Sequence, residues 1–184
     1  MKRKTAKEIL AESFRELAET KPIDKITVKE IAGNCGYSSA TFYRQFQDKY
    51  DLIAWAYSRD MEQIVGQIAF DEVSWRQVVR DAADYYSEHK EYMTNLLLHT
   101  SGYDSFISNM TEINYSCMKK QILEASGFDE LDEQTDMVIR SYVMGAICLS
   151  AEWILGRYSV GPDELAEIYD RALPDLLKKY LYKK

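Results

Sequence analysis

The residues of this chain that are best suited to bind another molecule lie between positions 27 and 49. They carry hydroxyl, phenol, guanidinium or ammonium groups, and they are Thr27, Tyr37, Ser38, Ser39, Thr41, Tyr43, Arg44 and Lys49. Hydroxyl and guanidinium groups can bond to base edges in the major groove of DNA, while phenol and ammonium groups can contact phosphates. This cluster therefore favours nucleic-acid binding.

Two short helices must hold these side chains, and residues 28–47 have the spacing of a helix-turn-helix. Ala32 is small enough for two helices to cross closely, and Gly36, four positions later, tolerates the positive φ of a tight turn. Ser38 is the predicted N-cap of the second helix, which enters the major groove in this motif. Because both special residues stand where the motif needs them, the pattern is specific.

The neighbouring helices also begin at clear capping signals. Thr27 and Glu30 form a capping box, in which each side chain satisfies a backbone amide of the other residue. Ile26 and Ile31 occupy the two positions of a hydrophobic staple, which sets the angle at which the chain enters the helix. Asp48 is the predicted N-cap of the helix that follows the motif.

Three stretches of this region resemble the signature of the TetR family of transcriptional regulators. They are Ile26–Ala32, Gly36–Ser38 and Thr41–Leu52. The last stretch is also similar to a subgroup that regulates dihydroxyacetone kinase. The resemblance implies a homodimer that binds a palindromic operator in double-stranded DNA, usually as a repressor, with an affinity that a small-molecule effector modulates.

The resemblance also implies roles for individual residues. Tyr43 and Lys49 match the family's phosphate-binding tyrosine and lysine, and Thr27 is expected to offer its hydroxyl and a helix N-terminal amide to another phosphate. Independently of the resemblance, Ser38, Ser39 and Thr41 are small polar residues at the start of the motif's second helix that can approach base edges closely. Arg44 offers the only long guanidinium there, and Tyr37 can reach either a base or the backbone. Ser38 acting only as a cap is the alternative. Ala40 replaces a glycine found in many relatives, so readout is expected to rest on tyrosine, hydroxyls and DNA shape.

Charge is divided unevenly along the chain, whose formal net charge is −7. Residues 1–49 contain ten Lys and Arg against seven Asp and Glu, whereas residues 50–184 contain thirteen against twenty-three. A positive end on an acidic body can place one face on phosphates while the rest repels non-specific DNA. Chance unevenness is the alternative. The basic arm predicted to reach the DNA is Lys2, Arg3 and Lys4, and Lys29 is either a contact or a solvated charge.

Several other classes of protein are disfavoured. Cys35, Cys117 and Cys148 lie far apart, and no Cys or His spacing is typical of a metal site or a disulfide framework. No glycine-rich phosphate loop occurs, and neither His89 nor His99 has a carboxylate or cysteine at the spacing of a catalytic triad. We therefore expect no metal, no cofactor and no enzymatic activity. An active site assembled from distant residues and a protein-docking module are the alternatives.

The most apolar segment of the chain is Met137–Leu155. Arg140 and Glu152 lie within it, and both are costly in hydrocarbon, so it is predicted to be a buried or interface helix rather than a membrane span. The basic N-terminus continues directly into an amphipathic segment without an apolar signal-peptide core. These features predict a cytoplasmic protein with reduced thiols.

The chain is predicted to be all-α, because only three prolines and eight glycines interrupt long stretches of helix-forming residues. Residues 1–48 are predicted to bind DNA, and residues 49–184 to form a helical domain for effector binding and dimerisation. The predicted helices are Lys4–Glu19, one from Thr27, Ser38–Phe46, Lys49–Phe70, one or two within Trp75–Leu98, Ser105–Ser126, Glu133–Gly156 and Pro162–Tyr182.

Aromatic residues, methionines and both histidines are concentrated in residues 75–118. The family resemblance implies an effector pocket among the central helices, and such a lining suits a small, partly apolar molecule. The candidate lining residues are Tyr85, Tyr86, His89, Tyr92, Tyr103 and Phe106. Ordinary core packing is the alternative, since aromatic residues at helical spacing are usually buried.

The last two predicted helices are expected to form the dimer interface. The resemblance implies that they pair with their counterparts in the partner subunit, and a two-fold dimer matches a palindromic site. Small residues, which let helices approach closely, lie along one stripe of the first of them: Ser141, Gly145, Ala146 and Ser150.

Overall fold

The computed structural model describes residues 4–65, 74–101 and 105–182. The described ranges contain α-helices and one short 3-10 turn, Ile23–Lys25, without a strand, which confirms the all-α prediction. The helices are α1 (Ala6–Ala18), α2 (Val28–Asn34), α3 (Ser39–Tyr43), α4 (Lys49–Val65), α5 (Trp75–Glu88), α6 (Lys90–His99), α7 (Phe106–Ser126), α8 (Glu133–Ile154), α9 (Pro162–Ala172) and α10 (Asp175–Leu181).

The first three helices share a small apolar core. Phe14 of α1, Ile31 of α2 and Phe42 of α3 are fully buried. Helix α1 packs on α2, and α2 packs on α3. The Ser13 hydroxyl of α1 also donates to the Ile31 carbonyl at 2.7 Å, so the first two helices are joined by a buried hydrogen bond as well as by packing.

Helix α4 connects this unit to the rest of the molecule, which we call the body. It packs on α1 and also on α5 and α7. Its early residues Leu52 and Ile53 are buried, and so is Met61 two turns later. The described part of α4 ends at Val65, and the predicted continuation to Phe70 lies outside the described residues.

The body is a layered bundle in which α5 packs on α9 and α7 packs on both α8 and α10. Helix α6 contacts α8 and α1, and also the 3-10 turn that precedes α2. The segment Trp75–Leu98 was predicted to contain one or two helices. It forms two, which meet at His89. The body therefore touches the N-terminal unit through α6 as well as through α4.

Two predicted helix boundaries are wrong. The single helix predicted over Pro162–Tyr182 is two helices, because Leu173 is extended before Pro174, at φ −62° and ψ 122°. The residue before a proline is pushed out of the helical region by steric contact with the proline ring. Helix α3 is also shorter than predicted, since it ends at Tyr43 rather than near Phe46.

Helix α8 is apolar but only partly covered. Within the described residues it is the one helix long and apolar enough to cross a membrane by length and composition, with 33% of its most apolar window buried. Arg140 of this helix is held by Glu112 of α7, at 2.7 Å from Nη1 to Oε1. Beyond its first turn, the exposed residues of the helix lie on one face: Met137, Ser141, Met144, Gly145 and Cys148. An apolar face of this kind is typical of a helix that packs against another subunit.

Candidate nucleic-acid interface and body cavity

The capping box predicted at the start of α2 is present. The Glu30 amide donates to Thr27 Oγ1 at 3.3 Å, and the Thr27 amide donates to Glu30 Oε2 at 2.9 Å. The Lys21 ammonium, together with the Thr27 hydroxyl and amide, lowers the pKa of Glu30 to about 2. The start of α2 is therefore fixed by an ionised carboxylate.

The turn between α2 and α3 has the predicted geometry. Gly36 has a positive φ of 74°, in the left-handed region that glycine adopts at little cost. The Tyr37 amide donates to the Ala32 carbonyl at 2.8 Å, which closes the end of α2. Ser38 caps α3 as predicted, because its Oγ accepts from the Thr41 amide at 3.2 Å. These bonds fix the orientation of α3 relative to α2.

A row of hydrogen-bonded polar groups runs along the exposed side of α3. The hydroxyls of Ser38 and Thr41 are 3.1 Å apart, and Arg44 Nη2 donates to Thr41 Oγ1 at 3.1 Å. Arg44 is exposed, and its guanidinium has further N–H groups that can meet an acceptor. The row therefore presents a positioned guanidinium next to two hydroxyls.

The two predicted tyrosines of this region differ in exposure. The Tyr43 side chain is 60% exposed, although its ring packs edge-on against Phe42 at 5.6 Å between centroids. Tyr37 is half-buried and packs on the core. This packing is consistent with a role in positioning the turn. Ser39, at the first position of α3, is half-buried. Tyr43 is thus the phenol with the freest access to another molecule.

The hydroxyl and amide of Thr27 are already used in hydrogen bonds within its own helix. Its hydroxyl donates to Glu30 Oε2 at 2.7 Å, and its amide donates to the same oxygen. A phosphate at this position would meet the Glu30 carboxylate, which is held by Lys21. The predicted phosphate contact of Thr27 therefore requires the capping box to open.

Lys49 is placed at the start of α4 with its ammonium turned toward the protein. Its Nζ donates to the carbonyls of Ile23 at 2.7 Å, Asp24 at 3.2 Å and Ile26 at 2.9 Å. Desolvation lowers the pKa of this ammonium, and the nearby Asp24 and Asp48 carboxylates oppose the shift. An ammonium has three donors, and all three are used here.

The predicted basic arm is described only in part. Lys2 and Arg3 lie outside the described residues. Lys4 is exposed and forms an ion pair with Glu12 at 2.7 Å. Lys29 is exposed on α2, where it remains open to solvent or to a phosphate.

Asn95 of α6 fastens the body to the N-terminal unit. Its Nδ2 donates to the carbonyls of Ala18 at 2.7 Å and Lys21 at 2.9 Å, while its Oδ1 accepts from the Ile23 amide at 3.1 Å. One side chain thus satisfies three backbone groups, one at the last residue of α1 and two in the loop that follows it. A shift of α6 would move this loop or break these bonds.

A second polar connection lies between α1 and the body. Arg15 Nη2 donates to Asp60 Oδ2 of α4 at 2.9 Å, and the Tyr85 hydroxyl of α5 donates to the same oxygen at 2.7 Å. The Arg15 guanidinium also lies over the Tyr92 ring of α6, 5.3 Å from its centroid. Helices α1, α4, α5 and α6 are therefore joined at one cluster.

The body contains a cavity enclosed by α4, α5, α7, α8 and α9. Its volume is about 70 Å³, and one side is open to solvent. The lining residues are Val65, Trp75, Val78, Val79, Ala82, Ala83, Tyr86, Asn114, Met118, Tyr142, Val143, Ala146, Ile147, Ser150, Leu165 and Tyr169. A concave, mostly apolar space with a few polar groups is typical of a small-molecule site.

The predicted pocket residues are not all brought together. Tyr86 lines the cavity, whereas the Tyr85 hydroxyl bonds to Asp60 and the His89 ring packs edge-on against Tyr85 at 4.8 Å. Tyr92 and Phe106 are buried, and Phe106 packs against Tyr57 at 5.2 Å. Tyr103 lies outside the described residues.

Other lining residues come from helices that the sequence assigned to dimerisation. Tyr142, Ala146 and Ser150 of α8 and Tyr169 of α9 all line the cavity. Ser150 is buried, and its hydroxyl lies 2.8 Å from that of Tyr169. Of the predicted small-residue stripe, Ser141 and Gly145 face outward. Val143, Ile147 and Ser150 are buried and recur at helical spacing. This spacing in the sequence distinguishes the inward face of α8 from its outward face.

In the part of the chain that the structure describes, the cysteines are unpaired and the potential metal ligands are not grouped. No group of three His, Cys, Asp or Glu side chains there is arranged to hold a metal ion. The cysteines Cys35, Cys117 and Cys148 are free thiols, and Cys148 is exposed on α8. Burial raises the pKa of the Cys117 thiol, which makes it a weaker nucleophile.

Comparison with known proteins identifies the family. Residues 9–55 match a model described as "Bacterial regulatory proteins, tetR family". Residues 73–175, more than half of the chain, match a TetR C-terminal model described as "Transcriptional regulator C-terminal region". The chain belongs to the TetR family. It is a TetR-family transcriptional regulator, and the family matches point to regulation rather than catalysis.

One curated relative supports the predicted subgroup. The HTH-type dhaKLM operon transcriptional activator DhaS of Lactococcus lactis subsp. lactis (strain IL1403) is 20% identical over 98 residues. The match covers 53% of this chain and 52% of that protein, so the chain matches about half the length of this relative. A solved structure of a dihydroxyacetone kinase operon activator DhaS has a TM-score of 0.66 and 15% identity, covering 96% of this chain and 98% of that one.

Other solved TetR regulators share the fold across nearly the whole chain. A TetR regulator from Rhodococcus sp. RHA1 has a TM-score of 0.68 and 19% identity, covering 94% of this chain and 95% of its own. Thermus thermophilus FadR, a repressor solved in complex with lauroyl-CoA, has a TM-score of 0.60 and 17% identity, covering 97% and 96%. At these identities the likeness establishes the fold.

Proposed function

We propose that this TetR-family regulator binds a palindromic operator in double-stranded DNA as a homodimer, and that a small molecule in the body cavity modulates its DNA affinity. The observation that carries the DNA-binding part is the polar row on α3. A capped helix with exposed hydroxyls and a positioned guanidinium can meet base edges, while the exposed Tyr43 phenol can meet a phosphate. Such a regulator acts in the cytoplasm.

The proposed DNA contacts fall into two groups. Arg44, Thr41, Ser38 and Ser39 face the bases from α3, with Tyr37 at the turn before it. Tyr43 contacts the backbone, and Thr27 and Lys49 can add phosphate contacts only by giving up the hydrogen bonds that they make within the protein. Readout therefore depends more on the exposed end of α3 than on its flanks.

The outward face of α8 supports the dimer part of the proposal. Met137 is 64% exposed and Met144 is 49% exposed, although both belong to an apolar helix. Gly145 is next to Met144 on the same face and allows a second helix to approach closely, and Ile168 of α9 adds a further exposed apolar side chain. A second copy of this chain is the occupant that fits, since a two-fold dimer presents two α3 helices to a palindrome.

The modulation part rests on the position of the cavity. Val65 at the described end of α4 lines it, and the first residue of the same helix, Lys49, holds the chain that enters α2. A ligand that shifts α4 would change the separation of the two α3 helices in a dimer. The ligand can bias this equilibrium only by its difference in affinity for the two arrangements, typically about 1–3 kcal/mol.

The proposed contacts are tested by measuring affinity for a bound duplex and for point-substituted duplexes at several salt concentrations. Tyr43→Phe should weaken binding to every duplex similarly, because a phosphate contact carries no base information. Arg44→Met should lose preference at one base position, worth about 1–3 kcal/mol. Tyr158→Phe, which alters an exposed tyrosine of the body, is the matched control. Unchanged affinity and preference in both α3 variants would contradict this placement of the DNA surface.

A further inference from the structure

The polar groups on the wall of the body cavity are almost all hydrogen-bonded within the protein. The hydroxyls of Tyr86 and Tyr57 are 2.6 Å apart, and those of Ser150 and Tyr169 are 2.8 Å apart. The Tyr142 hydroxyl donates to the Tyr169 carbonyl at 2.9 Å. Burial raises the pKa of Tyr86 to about 12, so this phenol stays neutral at physiological pH. The lining amide of Asn114 likewise donates to the Tyr57 hydroxyl at 2.7 Å and to the Met110 carbonyl at 2.8 Å, so these donors are already used.

Trp75 is the exception. Its Nε1 is the buried side-chain nitrogen or oxygen that has no hydrogen-bond partner in the described part of the chain. The side chain is 8% exposed and lines the cavity. A buried N–H is normally satisfied, and leaving it without an acceptor is unfavourable. The Trp75 donor is therefore available to an acceptor that enters the cavity.

The surroundings of Trp75 keep its ring in place. Ser74 caps α5 by accepting from the Gln77 amide, so the backbone at the first residue of the helix is fixed. The Trp75 and Tyr142 ring centroids are 6.2 Å apart, with the planes tilted by 55°. Burial raises the pKa of Tyr142 and the nearby Trp75 N–H lowers it, so the N–H lies close to the Tyr142 hydroxyl without the geometry of a hydrogen bond to it. A fixed donor beside a second hydroxyl can select the position of a ligand oxygen.

The lining also limits the charge of a ligand. Among the described residues that form the wall there is no Lys, Arg, His, Asp or Glu. A charged group moved from water into such a space would lose its hydration without gaining a counter-ion, which is strongly unfavourable. An uncharged molecule is therefore favoured over a carboxylate or an amine.

We propose that the effector is an uncharged, mostly apolar molecule with a carbonyl or ether oxygen that accepts the Trp75 indole N–H. The apolar part fills the space between α5, α7 and α8, and the single oxygen sets its orientation. The claim that this molecule acts as an effector rests on the proposed function, whereas the binding chemistry rests on the cavity alone.

The test is a matched ligand series measured on the full chain. Ketones with six to ten carbons, the hydrocarbons of the same skeleton and the matching carboxylates are titrated, with binding followed by calorimetry. The three tryptophans give three indole N–H signals in a 15N-labelled sample, and Trp75→Phe identifies the signal of Trp75. We expect a ketone to bind and to shift the Trp75 signal, the hydrocarbon to bind without that shift, and the carboxylate not to bind.

The variants separate the hydrogen bond from the packing. Trp75→Phe should weaken ketone binding about tenfold, while hydrocarbon binding is unchanged because an aromatic ring still fills the site. Trp55→Phe, outside the cavity lining, should alter neither. Tighter binding of carboxylates, equal ketone affinity with and without the Trp75 N–H, or no binding by any member of the series would overturn the inference.

The same series distinguishes this inference from the proposed function. A ketone that binds at Trp75 without changing DNA affinity supports the binding chemistry and contradicts the modulation. Carboxylates that bind and release DNA without shifting the Trp75 signal support the modulation and overturn the inference about the ligand class.

Discussion

Lys49 ties the first turn of α4 to the chain that leads into α2. Its ammonium donates to three carbonyls, those of Ile23, Asp24 and Ile26, and each bond is between 2.7 and 3.2 Å. The Ile23 carbonyl also accepts from the Ile26 amide at 3.1 Å, so the lysine adds to the bond of the 3-10 turn and brings the three carbonyls together. At the scale of one residue, its bonds position the helix-turn-helix on α4.

Replacing this ammonium separates two roles. Lys49→Met should lower the free energy of unfolding by about 1–3 kcal/mol, because three carbonyls lose a charged donor. The slope of log K against log salt for DNA binding should stay the same, whereas loss of a phosphate contact would reduce it by about one. Denaturant unfolding and DNA titrations at several salt concentrations measure both quantities.

Lys29→Met is the matched control, since Lys29 is exposed on α2. It should leave the free energy of unfolding unchanged, and any reduction of its salt slope identifies Lys29 as a phosphate contact. If Lys49→Met instead keeps the normal free energy of unfolding and reduces the salt slope, then Lys49 contacts a DNA phosphate.

Local signals in the sequence were sufficient for the cap residues of the motif. The Thr27 and Glu30 box, the Ser38 cap and the positive φ of Gly36 all follow from side chains that act within four residues. The same spacing at Thr5 and Glu8 forms a second capping box at the start of α1, which sequence analysis missed although the signal was present. Short-range chemistry of this kind is readable because it needs no knowledge of the fold.

At the scale of elements, α6 is the part of the body that reaches the N-terminal unit from the side. Asn95 binds three backbone groups there, at the last residue of α1 and in the loop that follows it. Helix α6 follows α5, which carries Trp75 and Tyr86 in the cavity wall. A movement that starts at the cavity can therefore reach the motif through α5 and α6 as well as through α4.

Asn95→Ala should weaken the coupling between the cavity and the motif that runs through α5 and α6. We expect ligand binding in the cavity to be retained and the effect of a bound ligand on DNA affinity to fall, because the coupling is carried partly by Asn95. Stability should decrease by about 1–3 kcal/mol through the unsatisfied backbone groups. The measurement is DNA affinity with and without saturating ligand.

Leu98→Ala on the same helix is the control, since this side chain is 62% exposed. It should preserve both stability and the ligand response. A full ligand response in Asn95→Ala would show that α4 alone carries the coupling.

The elements themselves were predicted better than their assembly. Most helices were predicted from their apolar period and caps, and the break between α9 and α10 carried a readable signal in Leu173–Pro174 that was passed over. The cavity was not predictable in detail, because its wall combines Trp75 of α5 with Tyr142 of α8 and Tyr169 of α9. Which aromatic residues face a space and which fill the core depends on how helices distant in sequence pack together.

At the scale of the whole molecule, the proposed homodimer depends on the outward face of α8. Gly145 lies on this face, and a side chain added there would meet no atom within 4 Å in the single chain. Gly145→Glu should therefore preserve the fold, and it also raises the helix propensity of the position. In a dimer the same carboxylate would be buried against the partner helix.

The variant should be a monomer with native helicity and reduced DNA affinity. Loss of the second motif removes the gain of bivalent binding, which is on the order of a hundredfold or more. Phe128→Glu, at an exposed apolar residue outside α8, is the control and should remain dimeric. Light scattering and DNA titration give the two readouts, and a dimeric Gly145→Glu variant would place the interface elsewhere.

The central claim is that two copies of this chain read a two-fold symmetric DNA site through α3, and selection of bound duplexes from a random pool tests it most directly. The enriched sequences should be palindromic, with half-sites about 10–10.5 base pairs apart or a multiple of that spacing, which corresponds to one helical turn. Substituting Arg44 should change the base preference symmetrically in both half-sites. No enrichment over the starting pool, or enrichment of a single motif without symmetry, would contradict the account.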